Sequence, residues 1–182
     1  LYPELRSTPQ LSFTVRSLGC VAGIVITASH NPPEYNGYKV YWDDGGQIVA
    51  PHDLGIISEV RKVKSLLEVN ISSGPLASND LITILGPELD EGYMNAILEL
   101  RSSKSLKEKG SELCLVYTGL HGTGSVSVPP ALKAFGFSKV HEVMSQKESD
   151  GNFPTVSSPN PEEGQALAEA LVLGESVNAS LV

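Results

Sequence analysis

The sequence predicts an α/β fold, and three observations carry that reading. Short apolar, β-branched runs at Ile24-Val25-Ile26 and at residues 113–117 read as buried strands. Around them apolar residues recur with helical spacing: Leu11, Val15 and Leu18; Leu54, Ile57, Val60, Val63 and Leu67; Tyr93, Ile97 and Leu100. Each strand also runs into a polar or glycine-rich loop, and open α/β sheets bind ligands beyond the carboxyl ends of their strands. The 182 residues suit one large or two small domains.

In chain order, residues 1–5 read as the tail of a strand. Thr8 and Pro9 mark a helix start, with Thr8 as cap and Pro9 at N1; this helix stops at Gly19. After the strand at Ile24, Pro32 and Pro33 interrupt regular structure, Asn36-Gly37 is a turn signal, and Tyr38-Lys39-Val40-Tyr41 alternates like a second strand. Asp43-Asp44-Gly45-Gly46 is a tight turn; its carboxylates fit a solvated turn better than a metal site. A short strand is expected at Gln47-Ile48-Val49, an amphipathic helix over 52–69, a linker over 70–80 and a short strand over 81–85. A helix over 87–100 carries acidic residues in its first turn, which suits the helix dipole. Residues 102–110 read as a connection.

The second strand, 113–117, enters Thr118-Gly119-Leu120-His121-Gly122-Thr123-Gly124-Ser125, followed by a helix over 127–135. Such a loop can cradle a phosphate on backbone N–H groups, or simply make a tight strand-to-helix turn; His121 is given no catalytic role. Residues 137–144 read as a strand whose His141 is structural, residues 165–173 as a helix, and 179–182 as the beginning of a further strand. Cys20 and Cys114 sit in apolar contexts and read as buried free thiols.

The stretch with chemistry is Thr27-Ala28-Ser29-His30-Asn31-Pro32. It gathers a hydroxyl, an imidazole and an amide at the end of a strand, with Lys39 returning on the next. A serine so flanked can carry a phosphoryl group, stabilised by nearby donors and a positive charge; the same residues also suit a plain polar loop closing a hairpin. A serine hydrolase is the rival chemistry, but its nucleophile elbow wants Gly-x-Ser-x-Gly, which Thr-Ala-Ser-His-Asn is not.

This hexapeptide, continued through Pro33-Glu34-Tyr35-Asn36-Gly37-Tyr38-Lys39, closely resembles the phosphoserine loop of the α-D-phosphohexomutases, the phosphoglucomutase and phosphomannomutase family. The resemblance continues in the His-Gly-x-Gly turn at His121 and in Phe153-Pro154 followed by Pro159-Asn160-Pro161-Glu162. It implies an incomplete first domain over 1–87 and most of a second over 88–182, each a mixed sheet layered with helices. The chain would end before the family's Asp-x-Asp-x-Asp-Arg metal loop, so residues 1–182 alone are expected to be inactive.

The resemblance further implies an isomerase of the phosphotransferase type. It would interconvert hexose 1-phosphate and 6-phosphate through a phosphoserine and a sugar bisphosphate. Ser29 would be nucleophile and phosphate carrier, and its phosphate a ligand of Mg²⁺, the aspartate ligands lying outside this chain. His30 and Lys39 would serve in proton transfer or phosphate stabilisation, and Thr27 and Asn31 would shape the phosphate loop. A glucose 1,6-bisphosphate-type activator is implied as well. The Pro-Pro-Glu-Tyr-Asn-Gly-Tyr-Lys-Val-Tyr variant leans toward the branch holding phosphoglucomutases, phosphomannomutases and phosphopentomutases. The alternative is a non-catalytic sugar-phosphate-binding or interaction module.

The net charge of −8 argues against a nucleic-acid partner, which would call for a basic patch. No apolar run approaches a membrane span and no signal peptide is visible. A cytoplasmic protein acting on a sugar phosphate, without a membrane partner, is therefore expected, and Asn70-Ile71-Ser72 and Asn178-Ala179-Ser180 are chance matches to the glycosylation pattern.

Overall fold

A computed structural model of the chain describes residues 1–32, 34–71, 74–101 and 109–182. Its N-terminal part is built from helix α1 (Thr8–Ser17), an antiparallel pair β1 (Ala22–Thr27) and β2 (Gly37–Trp42), and helix α2 (His52–Val60). Helix α3 (Glu88–Glu99) follows. The C-terminal part is a β-α-β unit, β3 (Cys114–Tyr117), α4 (Val128–Phe135) and β4 (Lys139–Glu142), closed by α5 (Ala168–Ser176). β3 and β4 are parallel, and Leu181 adds a parallel bridge to Leu115. No helix among the described residues is long and apolar enough to cross a membrane.

Ser7, in extended conformation, takes the N-cap position of α1 in place of Thr8 without a side-chain capping bond, and Pro9 lies in the first turn, where a missing N–H costs little. Val15 and Thr14 on α1 are buried against β1. Gly23 makes that approach possible, since a Cβ there would lie 2.5 Å from Val15 Cγ2. One face of the β1–β2 pair thus meets α1. On the other face Val40, paired with Ile24, is buried, but the β1 side chains are not: Ile24 is 51 % exposed and Ile26 67 %. The expectation of a fully buried first strand is corrected accordingly, because only one side of it has a covering element among the described residues.

Three further expectations change. Gln47-Ile48-Val49 forms a single bridge to Tyr41 and no strand. Helix α2 ends at Val60 instead of reaching 69, with a separate 3-10 turn at Leu66–Glu68. None of its residues is buried; His52 sets its ring edge-on against Trp42, and a short helix with so little tertiary packing has little to extend it. Residues 81–85 form no strand; Leu85 N–H bonds only to the Leu1 carbonyl, at 2.9 Å.

Helix α3 matches its expected span. It is held to the N-terminal part by a Phe13–Tyr93 ring contact at 5.6 Å and a two-pronged Arg6–Asp90 ion pair, 2.9 Å from Nε to Oδ1 and 2.8 Å from Nη2 to Oδ2, and it packs on α4 of the C-terminal part. The connection expected within 102–110 lies, for 102–108, outside the described residues. The C-terminal core gathers Val116, Val143 and Ala170, with Leu173, Val177 and Ala179 packed against it. Helix α5 begins at Ala168 rather than 165, since turns fixed by Ser158 Oγ to Glu163 and by Glu162 N–H to Asn160 occupy the preceding residues. Cys20 and Cys114 are free but only half-buried, a correction to the buried reading.

Candidate active site

Ser29 stands just beyond the end of β1. Its backbone N–H donates to Thr27 Oγ1 at 2.9 Å, and Asn31 N–H donates to the Ala28 carbonyl at 3.0 Å. These two bonds close a turn with Ser29 at its second position, where φ is 57°. A positive φ there belongs to the turns that favour glycine, so the serine side chain is held at a conformational cost of about 1–2 kcal/mol. The hydroxyl is exposed to solvent, and His30 Nδ1 lies 3.4 Å from it.

The hydroxyl loop faces a cavity of about 380 Å³ shared by the two parts of the chain. The N-terminal part contributes Arg6, Thr8, Thr27 and Ser29; the C-terminal part contributes Thr123 and Asp150 among others. A larger recess of about 660 Å³ adjoins it along residues 1–7 and Ile24 to Ile26. That recess is mostly aliphatic and does not include the Ser29 loop, which opens into the smaller cavity.

Of the residues the sequence singled out, Ser29 and Thr27 line this cavity, and His30 touches Ser29 from the exposed side. Lys39 is half-buried on β2 opposite Val25, on the same sheet face as Thr27, and is not among the lining residues. Asn31 is exposed and joins the turn through its backbone. Sequence reasoning missed Arg6, Thr8 and Asp150. Arg6 precedes the motif by some twenty residues in an unremarkable loop, Thr8 opens α1 and was read only as a helix cap, and Asp150 lay in a segment noted only for its family likeness.

Among the described residues Arg6 is the only Lys or Arg on the cavity wall, and its charge is matched by Asp90. The Arg6 hydrogen bond holds the Asp90 carboxyl below the usual range and, reciprocally, raises the guanidinium. Beneath the C-terminal loop, burial pushes the Tyr117 phenol up, with the Glu142 carboxylate adding to the effect. Among the described residues no three His, Cys, Asp or Glu side chains gather to hold a metal, and Asp150 is the single carboxylate on the wall. The described residues therefore do not make a Mg²⁺ site by themselves.

An exposed hydroxyl on a strained turn facing a cleft between two α/β parts is the kind of concave setting in which small-molecule sites are found. Comparison with known proteins places the chain more closely. Residues 1–66 match the model of phosphoglucomutase/phosphomannomutase, alpha/beta/alpha domain I, and residues 91–182 that of domain II. The chain belongs to the phosphoglucomutase/phosphomannomutase family. It is 38 % identical over 188 residues to a phosphopentomutase of Mus musculus, covering 100 % of this chain and 29 % of that protein. It is 36 % identical over 177 residues to a phosphoglucomutase of Staphylococcus epidermidis, covering 97 % and 32 %. The crystal structure of a phosphomannomutase candidate from Thermus thermophilus superposes with a TM-score of 0.75 at 27 % identity, over 95 % of this chain and 36 % of that one. The chain thus spans about a third of the length of these relatives.

Proposed function

We propose that the protein containing this chain is an intramolecular phosphotransferase that interconverts a sugar 1-phosphate and its terminal phosphate isomer, with hexose phosphates as first choice. The supporting observation is the position of Ser29: solvent-exposed, strained, and on the wall of a cavity that both parts of the chain build. Pentose phosphates are the second substrate class, favoured by the phosphopentomutase relative.

On this reading Ser29 carries the phosphoryl group between turnovers. A free sugar hydroxyl attacks the phosphorus; the new P–O bond forms as the bond to Ser29 Oγ breaks. The proton leaving the sugar hydroxyl ends on Ser29 Oγ, with His30, 3.4 Å away, as the nearby relay. The bisphosphate turns over in the cleft, Ser29 Oγ attacks its other phosphorus as the bond to that sugar oxygen breaks, the Ser29 proton passes to the freed oxygen, and the isomerised monophosphate leaves. Thr27 holds the turn, Asn31 closes it, and Lys39 supplies positive charge from the neighbouring strand. Uncatalysed phosphate-monoester cleavage is slow enough that accelerations of up to ~10²¹ are known, so positioning and charge neutralisation carry such a reaction.

We assign residues 1–87 to the first domain and 88–182 to the second, and expect the remaining machinery, including Mg²⁺ carboxylates and a bisphosphate activator site, to come from further domains. The test is intact-mass analysis of the full-length protein with turnover assays on sugar monophosphates. One phosphate, lost together with turnover in Ser29→Ala, is expected. Normal turnover by Ser29→Ala would refute the reading.

A further inference from the structure

The cavity wall from the C-terminal part contains a buried histidine that none of these steps uses. His121 is 5 % exposed and hydrogen-bonded at both ring nitrogens. Nδ1 lies 3.2 Å from the Glu148 carbonyl and Nε2 lies 2.9 Å from Thr155 Oγ1. A carbonyl only accepts, so Nδ1 carries the proton; in the neutral ring Nε2 then accepts from the Thr155 hydroxyl. Thr155 Oγ1 accepts in turn from Gln146 Nε2 at 3.0 Å, and Gln146 Oε1 accepts from the Thr118 hydroxyl at 2.6 Å. Gln146 is fully buried. The chain of bonds has one consistent direction, from Thr118 to the Glu148 carbonyl, and each hydroxyl proton is used once.

The backbone of His121 does the same work. Its N–H donates to the Gln146 carbonyl and its carbonyl accepts from Asp150 N–H, both at 3.0 Å. One residue therefore ties the loop after β3 to the segment 146–155 at four points. Both segments face the Ser29 cavity, the first through Gly122 and Thr123, the second through Ser149, Asp150 and Phe153. Achieving this places Leu120 and His121 consecutively in the left-handed region, at φ 46° and 60°. For a leucine and a histidine that is uncommon, and it persists only where the surroundings over-determine it.

We propose that His121 is a positioning residue for phosphoryl transfer at Ser29: its imidazole locks the 121–123 and 149–153 segments into one rigid wall against which the sugar phosphate is seated. This rests on the mutase reading above. A displacement of 1 Å near reacting groups can cost about 100-fold in rate, so a loosened wall acts mainly on kcat.

The test compares the full-length parent with His121→Asn, Thr155→Val and Thr155→Ser, measuring kcat and KM for sugar monophosphate, phosphate on Ser29 by intact mass, and thermal midpoint. Asparagine tolerates the positive φ and keeps an N–H for Glu148, but is too short for Thr155. His121→Asn and Thr155→Val are each expected to lower kcat by about tenfold or more, with little change in KM and Ser29 still phosphorylated. Thr155→Ser restores the hydroxyl and is expected to rescue kcat. Parental kcat in a folded His121→Asn or Thr155→Val protein, or a Thr155→Ser protein as slow as Thr155→Val, would overturn the proposal. A parent without turnover and without phosphate on Ser29 sinks the mutase reading itself, and this inference with it; the parent control tells the two failures apart.

Discussion

Gly37 links the fold to the reacting hydroxyl, and Gly37→Ala tests the link. Gly37 opens β2 directly opposite Thr27, whose hydroxyl accepts the Ser29 N–H. A Cβ at Gly37 would lie 2.7 Å from the Thr27 carbonyl oxygen. Ordinary close C···O approaches between strands are about 3.3 Å, so this pair must part by about 0.6 Å, and backbone, unlike a flexible side chain, has no rotamer by which to yield. Overpacking of this kind costs about 1–3 kcal/mol. Alanine recovers about 0.4–1 kcal/mol through a less disordered unfolded chain, leaving a net loss of about 1–2 kcal/mol. Amide exchange of the β1 and β2 segments, read by mass spectrometry on the full-length protein, is expected to speed up about 5- to 30-fold. Turnover is expected to fall about tenfold, since the shift is passed through Thr27 to Ser29. Unchanged exchange with unchanged turnover would refute the reasoning.

Two further predictions concern strain and charge. Ser29→Gly and Ser29→Ala should be equally inactive, yet Ser29→Gly should be the more stable by about 1 kcal/mol, because only glycine occupies φ 57° without cost; equal thermal midpoints would remove the strain argument. The Asp90 carboxyl titrates below its ordinary value in the folded chain, so the folded state binds fewer protons than the unfolded state. Its contribution is complete above the ordinary carboxylate range and is lost as pH falls through the lowered value. The parent should therefore lose more thermal stability between neutral and strongly acidic pH than Asp90→Asn does, and identical pH profiles would refute this.

Much of the architecture could be read from local pattern. The Ile24 run, the break at Pro32 and the return at Tyr38 fixed a hairpin, and Tyr93 and Ile97 marked α3, although Leu100 lies just past its end and is exposed. What escaped is long-range. An apolar run shows that a strand is able to be buried on both faces; it does not show what covers it, and Ile24 and Ile26 have a partner layer only on the opposite side. The Arg6–Asp90 pair spans 84 positions and neither residue belongs to a motif. His121 sat in a glycine-rich loop with no periodicity to report its burial, which comes from Gln146 and Thr155, 25 and 34 positions further on. The Ser29 loop was legible because its chemistry is local; the wall it faces was not, because contacts far apart in the chain build it.

The distribution of strain argues that this wall is more than a connection. Among the described residues five without the freedom of glycine have a positive φ: Ser29, Leu120, His121, Phe153 and Asn178. Ser29, His121 and Phe153 line the same cavity, and Leu120 precedes His121 directly. Asn178 is of a type that enters this region readily; each of the others costs about 1–2 kcal/mol, a large share of the stability a domain has to spare. Glycine would remove that cost at every one of these positions, and the chain uses glycine freely beside them, at Gly119, Gly122 and Gly151. Side chains held at such expense around one cleft indicate that their placement matters there: the hydroxyl of Ser29 for the chemistry, and the imidazole of His121 for the shape of the wall that receives it.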